Sequence, residues 1–461
     1  MKNIFVSSLL LMALLSLSAC NKYLDIKPKG YVIPETVEEF ERILNGESLT
    51  KLLSDGIERM SDDFYDPTII KDENILWRDY RLYMWLPDAY TTVEDYRGYS
   101  YWDILYRRVY QYNAVINGID NATGGTAKRK AIAKARARTG RALIYYYIVN
   151  IYSKPYQVES AKTDLGIPLV TGVSIEEALP GRGTVQQTYD FISKEITEAL
   201  PDLPVSSISS FEITKGGGYG YLARAYLQMG EYAKAAEAAD HALYYNDRLV
   251  DYNNEYQMSG DRFSLKSTSI LLTAITHPEN TLIHFFDYTR GMARKNMPNE
   301  TAQLFDEKDL RRVNVLIENI GGEQINTYMA STLYDYSIGI TTPEMYLIRA
   351  EGNAREGKIQ LAMDDLNKLR KNRIKSDSYI DLTSNDKIDA TRKILEERRR
   401  ELLFKGVRWF DMRRLHNDPN YGFTPRHYLA DGTYIELKAN SPRWVMTIPD
   451  PAVSDKIVQN P

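Results

Sequence analysis

Apolar side chains recur at spacings of three and four along much of the chain, and strictly alternating runs are few. Between Tyr99 and Ile119 the series Trp102, Leu105, Val109, Tyr112, Ile116 marks one face of a long helix. A break at Gly124-Gly125 follows, and the helical pattern resumes over Ala127 to Ile151, with Ala133, Ala137, Leu143 and Tyr147 on the packing side. Two long helices joined by a short glycine turn predict an antiparallel hairpin. Before them, Glu35 to Leu44 reads as a short helix, because Thr36 and Glu39 stand at the spacing of a capping box.

Two later stretches, Leu222 to Leu243 and Arg349 to Arg370, share a frame. Ala223 and Ala350 are each followed seven residues on by Gly230 and Gly357, then by Tyr232 and Ile359, then by Ala235 and Ala362. Small residues let two helices approach and the glycine takes the turn, as in a tetratricopeptide helix-turn-helix unit. Gly216-Gly217-Gly218, just before, reads as a flexible lead-in to the first of these helices. The pattern predicts a mainly α fold. Tetratricopeptide-like helix pairs form a scaffold, decorated by long loops and a less regular ligand-facing portion, with loop-rich insertions near 62–90 and 250–340.

The stretch Asp62 to Tyr90 departs from this regularity. It carries Phe64, Tyr65, Trp77, Tyr80, Tyr83, Trp85 and Tyr90 with Pro67 and Pro87, and no period is sustained. A long ordered loop loaded with aromatics is a candidate binding element. Trp77, Tyr83 and Trp85 are the candidate ring platforms, with Arg78, Asp79 and Arg81 nearby to bond hydroxyl groups. Phe285 to Asn296 is the candidate second wall and offers Tyr288, Arg290, Arg294 and Asn296. The competing expectation is that each ring anchors its loop to the core.

Composition narrows the function classes. With 461 residues, 43% of them hydrophobic, the chain has ample material for a large core. A net charge of -4 gives no electrostatic case for nucleic acid. The 35 tyrosines beside 5 tryptophans suit half-wet binding faces and interhelical seams alike. Lys2 and the apolar run Ile4 to Leu17 describe a secretory signal, too short and too near the terminus to span a membrane. Leu17-Ser18-Ala19-Cys20 closes it with the pattern at which a cysteine is diacylated and the preceding peptide removed. The reading is a signal peptide over 1–19 and one lipid-anchored domain over 20–461, since no later segment has the apolar length to cross a bilayer. Cys20 is the only cysteine, so the exported chain folds without an internal disulfide.

Candidate chemistry is sparse. His241, His277, His284, His416 and His427 form no H-E-x-x-H pair and no cluster at metal-ligand spacing, so neither metal nor cofactor is expected. No G-x-S-x-G elbow is present, and the triple glycine lacks the G-K-[ST] ending of a phosphate loop. A glycosidase carboxylate pair, about 5 to 10 Å apart, can be assembled from distant positions and leaves no mark in sequence spacing. The charged run Glu396 to Glu401 reads as a helix with opposite charges at favourable spacing, anchoring Arg408-Trp409-Phe410-Asp411.

Several stretches together resemble the SusD/RagB family of outer-membrane lipoproteins. They are Tyr23-Leu24-Asp25-Ile26-Lys27-Pro28 after Cys20; Arg182-Gly183-Thr184-Val185 with Tyr189-Asp190-Phe191-Ile192 and Leu200-Pro201; and Glu344-Met345-Tyr346-Leu347-Ile348-Arg349-Ala350-Glu351. Glu397-Arg398-Arg399-Arg400-Glu401-Leu402 leads to Arg408-Trp409-Phe410-Asp411-Met412-Arg413-Arg414, and Ile448-Pro449 runs on to Gln459-Asn460-Pro461. Tyr152-Ser153-Lys154-Pro155 departs from the Tyr-Gly that the family commonly has there. The resemblance implies a non-catalytic, surface-exposed outer-membrane lipoprotein that binds nutrient, usually glycan. It also implies delivery to a SusC-like, TonB-dependent transporter. A surface glycoside hydrolase, a peptide-binding lipoprotein of the same architecture and a purely structural adaptor are the alternatives.

Overall fold

The computed structural model describes residues 34–53, 56–71, 78–87, 100–174, 178–259, 262–265, 276–286, 294–329 and 337–460. Helix α1 (Val37–Leu44) starts at the capping box: the Thr36 hydroxyl accepts the Glu39 N–H at 3.2 Å, and the Glu39 carboxylate accepts the Thr36 N–H at 2.9 Å. A short α2 (Arg78–Tyr83) interrupts the aromatic stretch that lacks a helical period. Then α3 (Tyr101–Gly118) and α4 (Ala127–Tyr152) form the antiparallel hairpin. The buried stripe of α3 runs through Trp102, Leu105, Val109 and Tyr112 to Val115, and leaves Ile116 only partly covered. Residues 139–152 of α4 are buried on every side, as the central element of a core must be.

Helix α5 (Val185–Ala199) packs on α4. The two repeats follow as α6 (Lys215–Gln228) with α7 (Tyr232–Tyr245), and α8 (Thr342–Arg355) with α9 (Ile359–Lys371). Gly230 and Gly357 make the turn inside each pair at φ of 71° and 78°, a conformation that side chains resist. Helix α7 packs on α8, so the pairs stack although a long insertion separates them in sequence. The Gly216-Gly217-Gly218 run is not a flexible lead-in. It is the buried first turn of α6, capped by Thr214, and a Cβ on Gly218 would meet Leu203 at 2.9 Å.

The insertion holds more strand than its spacing reveals. It contains β1 (Asn280–Leu282), β2 (Arg294–Met297), β3 (Val315–Ile320), β4 (Glu323–Met329) and β5 (Ile340–Thr341). An antiparallel sheet has the order β2-β4-β3, and β1 pairs with β5. Near the C-terminus β6 (Arg426–Tyr428) and β7 (Tyr434–Glu436) form a hairpin in the register His427 opposite Ile435.

Helices α10 (Lys387–Glu401) and α11 (Arg408–Leu415) lock these parts together through buried ion pairs. Three consecutive arginines on α10 point to three places. Arg398 reaches Asp411 at 2.8 Å and Glu344 of α8 at 3.4 Å, Arg399 reaches Asp63 at 2.7 Å, and Arg400 pairs with Glu397 at 2.8 Å. Arg408 holds Asp62 through two bonds of 2.7 and 2.8 Å. Burial pushes the Asp62 carboxyl up, but Arg399 and Arg408 overcome this and hold it well below the ordinary carboxylate value. The charged run thus anchors both α11 and the start of the aromatic segment.

Candidate functional site

The aromatic segment is fixed by a histidine from the far end of the chain. His427, on β6, is buried between the rings of Tyr83 and Trp85, with centroid separations of 4.3 and 3.9 Å. Its Nδ1 lies 2.6 Å from the Tyr83 carbonyl and its Nε2 lies 2.7 Å from that of Ser61. The Trp85 indole N–H donates to the Met60 carbonyl at 3.0 Å, and the Tyr83 hydroxyl donates to the Tyr428 carbonyl at 2.6 Å. Ile69, Tyr80, Tyr83 and Leu429 close a small apolar cluster underneath. The segment and the β6–β7 hairpin therefore behave as one packed body.

Where that body meets the end of the β2-β4-β3 sheet, a groove of about 240 Å³ opens. The Tyr65 N–H donates to the Asn296 carbonyl at 2.9 Å and joins the two walls. Buried Met297, Pro298, Ile325 and Leu429 make the apolar floor. The rim is polar: Asn299, Glu300, Glu323, Gln324 and Asn326, with Tyr65 and Tyr428 half-buried between them. Tyr434 stands edge-on to Tyr428 at 6.2 Å and is 50% exposed.

Several rim groups are already positioned. The Tyr428 hydroxyl donates to the Glu300 carboxylate, and the Asn326 amide donates to Asn299 Oδ1 at 2.6 Å. That bond to Glu300, together with burial, raises the Tyr428 hydroxyl pKa. Burial and the nearby Glu323 and Asp66 raise that of Tyr65. Both hydroxyls stay protonated at neutral pH: that of Tyr428 gives its one proton to Glu300 and can only accept from a ligand, while that of Tyr65 can donate. Half-buried rings ringed by carboxylates and carboxamides suit a ligand with an apolar face and many hydroxyl groups.

The sequence-derived site residues have separate fates. Tyr83 and Trp85 are 0% and 6% exposed, and their faces are spent on His427, so they hold the loop and present no platform to a ligand. Arg81, 7% exposed, is buried on the same short helix as Tyr83 and does not line the groove described above. Asn296 stands behind the groove: its side-chain oxygen accepts the Thr327 hydroxyl at 3.1 Å, and its carbonyl accepts Tyr65. Trp77, Tyr288 and Arg290 lie outside the described residues, as does Cys20. Tyr428 and Tyr434 escaped the sequence reading, although the intervening Asp431-Gly432 pair is a hairpin signal.

A larger cavity of about 640 Å³ lies elsewhere, lined by Lys154, Asp164, His416, Asn440 and Trp444 among others. Its aromatic surface is already engaged, since Trp444 stacks on Trp409 at 5.6 Å and lies tilted against His416 at 4.3 Å. Lys154 and Asp164 there pair with each other at 2.7 Å. Of these two cavities, the smaller groove combines half-buried rings with polar rim groups. Among the described residues, no cluster of His, Cys, Asp and Glu could hold a metal ion, and no helix is long and apolar enough to cross a membrane.

Comparison with known proteins matches two parts of the chain to families. Residues 22–227 match the SusD-like family described as starch-binding associating with outer membrane, and residues 342–451 match the SusD family. No curated protein matches the chain. Among solved structures, a SusD superfamily protein from Bacteroides thetaiotaomicron VPI-5482 superposes with a TM-score of 0.71 at 20% identity, covering 92% of this chain and 100% of its own. A putative sugar binding protein from Bacteroides vulgatus ATCC 8482 gives 0.69 at 20% identity, with 94% and 99% covered. A SusD-like carbohydrate binding protein from the same B. vulgatus strain gives 0.66 at 17% identity, with 90% and 95% covered.

Proposed function

The chain belongs to the SusD family, and from that premise we propose that it is a non-catalytic, surface-exposed lipoprotein of the outer membrane. It binds glycan and delivers it to a SusC-like, TonB-dependent transporter. The observation that carries the binding half is the groove, where Tyr65 and Tyr428 stand among carboxylates and carboxamides over an apolar floor. A sugar has the same division, with C–H faces for the rings and hydroxyls for the rim. Solved relatives described as sugar or carbohydrate binding proteins support this reading. Attachment rests on a lipid at Cys20, with 1–19 removed and 20–461 acting as one unit.

Titration calorimetry of the mature protein against a panel of polysaccharides tests the binding half, and no binding to any of them would remove it. Labelling cells with a palmitate analogue should mark wild type and leave Cys20→Ala unmarked. Co-purification with a barrel from mildly solubilised outer membranes tests the partnership. A surface glycoside hydrolase is the second reading, favoured by Glu300 and Glu323 lining one groove. Chromatography of the bound glycan after incubation separates the two, since any shortened product refutes the non-catalytic reading.

A further inference from the structure

Resting on the glycan-binding reading of this groove, we infer that Glu300 and Glu323 make it selective for uncharged glycans, and that chains bearing uronate or sulfate groups are turned away. The charged groups among its described lining residues are these two carboxylates, both exposed at the rim, and the other polar groups are three carboxamides and two phenols. Asp66, near Tyr65, adds little to this charge, since it is paired with Arg59 at 3.5 Å. The neighbouring cation on the hairpin, Arg426, also acts on the Tyr428 hydroxyl, but its charge is largely answered by Glu436 at 3.0 Å, and it lies over the Tyr434 ring at 4.7 Å.

The two kinds of ligand meet this rim differently. A neutral sugar offers hydroxyl donors, and a carboxylate accepts two of them at once through charge-assisted bonds. Asn299, Gln324 and Asn326 can each donate as well as accept, which serves hydroxyls in either sense. A uronate or sulfate has no proton to give and brings its own negative charge within a few ångströms of Glu300 or Glu323. In a half-wet site that repulsion lowers affinity by about tenfold or more. Glu300 cannot easily turn aside, because its carboxylate already accepts the Tyr428 hydroxyl.

The test measures binding of the full mature protein to neutral xylan, mannan and β-glucan, and to polygalacturonate and chondroitin sulfate, at low and moderate salt. Wild type is expected to bind at least one neutral glycan with little salt dependence and to show no measurable affinity for either polyanion. In Glu300→Gln with Glu323→Gln polyanion binding should become measurable as the repulsion is removed, while neutral binding weakens several-fold. Wild-type binding to a polyanion that Tyr428→Ala weakens tenfold would overturn the selectivity while leaving the glycan-binding reading intact. Failure to bind either class would instead defeat that reading, and the selectivity with it. Circular dichroism of each variant confirms that it is folded.

Discussion

The ring of His427 lies 3.9 Å from that of Trp85, at an interplanar angle of 19°. The contact joins positions from opposite ends of the chain, and Tyr83 completes the stack on the other face at 4.3 Å. Trp85→Ala should therefore act on stability. Removing a buried indole costs about 3 to 5 kcal/mol, read as a lowered midpoint in denaturant unfolding. An unchanged midpoint with tenfold weaker glycan binding would restore Trp85 as a ligand platform.

Tyr428→Ala and Tyr65→Ala should show the converse. Stacking that covers about 100 Å² of ring is worth on the order of 2 kcal/mol, so each variant should bind glycan about tenfold or more weakly. Both rings are half-buried at the groove edge, and the melting temperature should fall far less than for Trp85→Ala. Calorimetry paired with thermal unfolding reads both quantities.

Arg373 is fully buried between Glu279 and Glu401, at 2.7 and 2.8 Å. Arg373→Met keeps most of the volume and strips Glu279 of this cation, while Glu401 keeps its pair with Arg311 at 2.6 Å. Loss of one member of such a set costs about 3 to 5 kcal/mol. Adding Glu279→Gln should recover much of that loss, and no recovery would mean that Arg373 acts through packing alone.

Stability should fall on acidification from pH 6.5 downward. Burial, with Arg224 and Arg108 nearby, pushes His284 down from 6.5 to about 3. Between those values the unfolded chain takes up a proton that the folded chain refuses, so protonation favours unfolding. Asp62 and Glu397, held low by their arginines, extend the trend through the carboxylate range. Urea unfolding at pH 7.5, 6 and 5 should show a declining free energy, and His284→Gln should reduce the slope between 6.5 and 5 without abolishing it, because burial pushes His277, His416 and His427 down as well.

What could be read from the sequence was local. The Thr36 and Glu39 cap, the α3–α4 hairpin and the two glycine turns at 230 and 357 depend on residues a few positions apart, and they stand where spacing placed them. The groove had no such local sign. Its parts come from Tyr65, Met297 to Glu300, Glu323 to Asn326 and Tyr428 to Gly432, and only tertiary packing brings them together. Trp85 shows why aperiodic aromatics mislead. A ring with no partner on its own element looks available, yet here its partner is His427, carried by a strand near the other end of the chain. The strands of the β2-β4-β3 sheet lack a clean alternation, since β3 exposes Ile317 as well as Asn319, so no period of two marks them.

Tyr428 is held at both ends: its backbone carbonyl accepts the Tyr83 hydroxyl, and its own hydroxyl donates to Glu300. A phenol so tethered has surrendered its rotational freedom before any ligand arrives. Binding then freezes few additional torsions, and the affinity of each sugar contact is less eroded by ordering. The rim therefore keeps its shape between ligands, and on the proposed reading each sugar meets a surface already set to receive it.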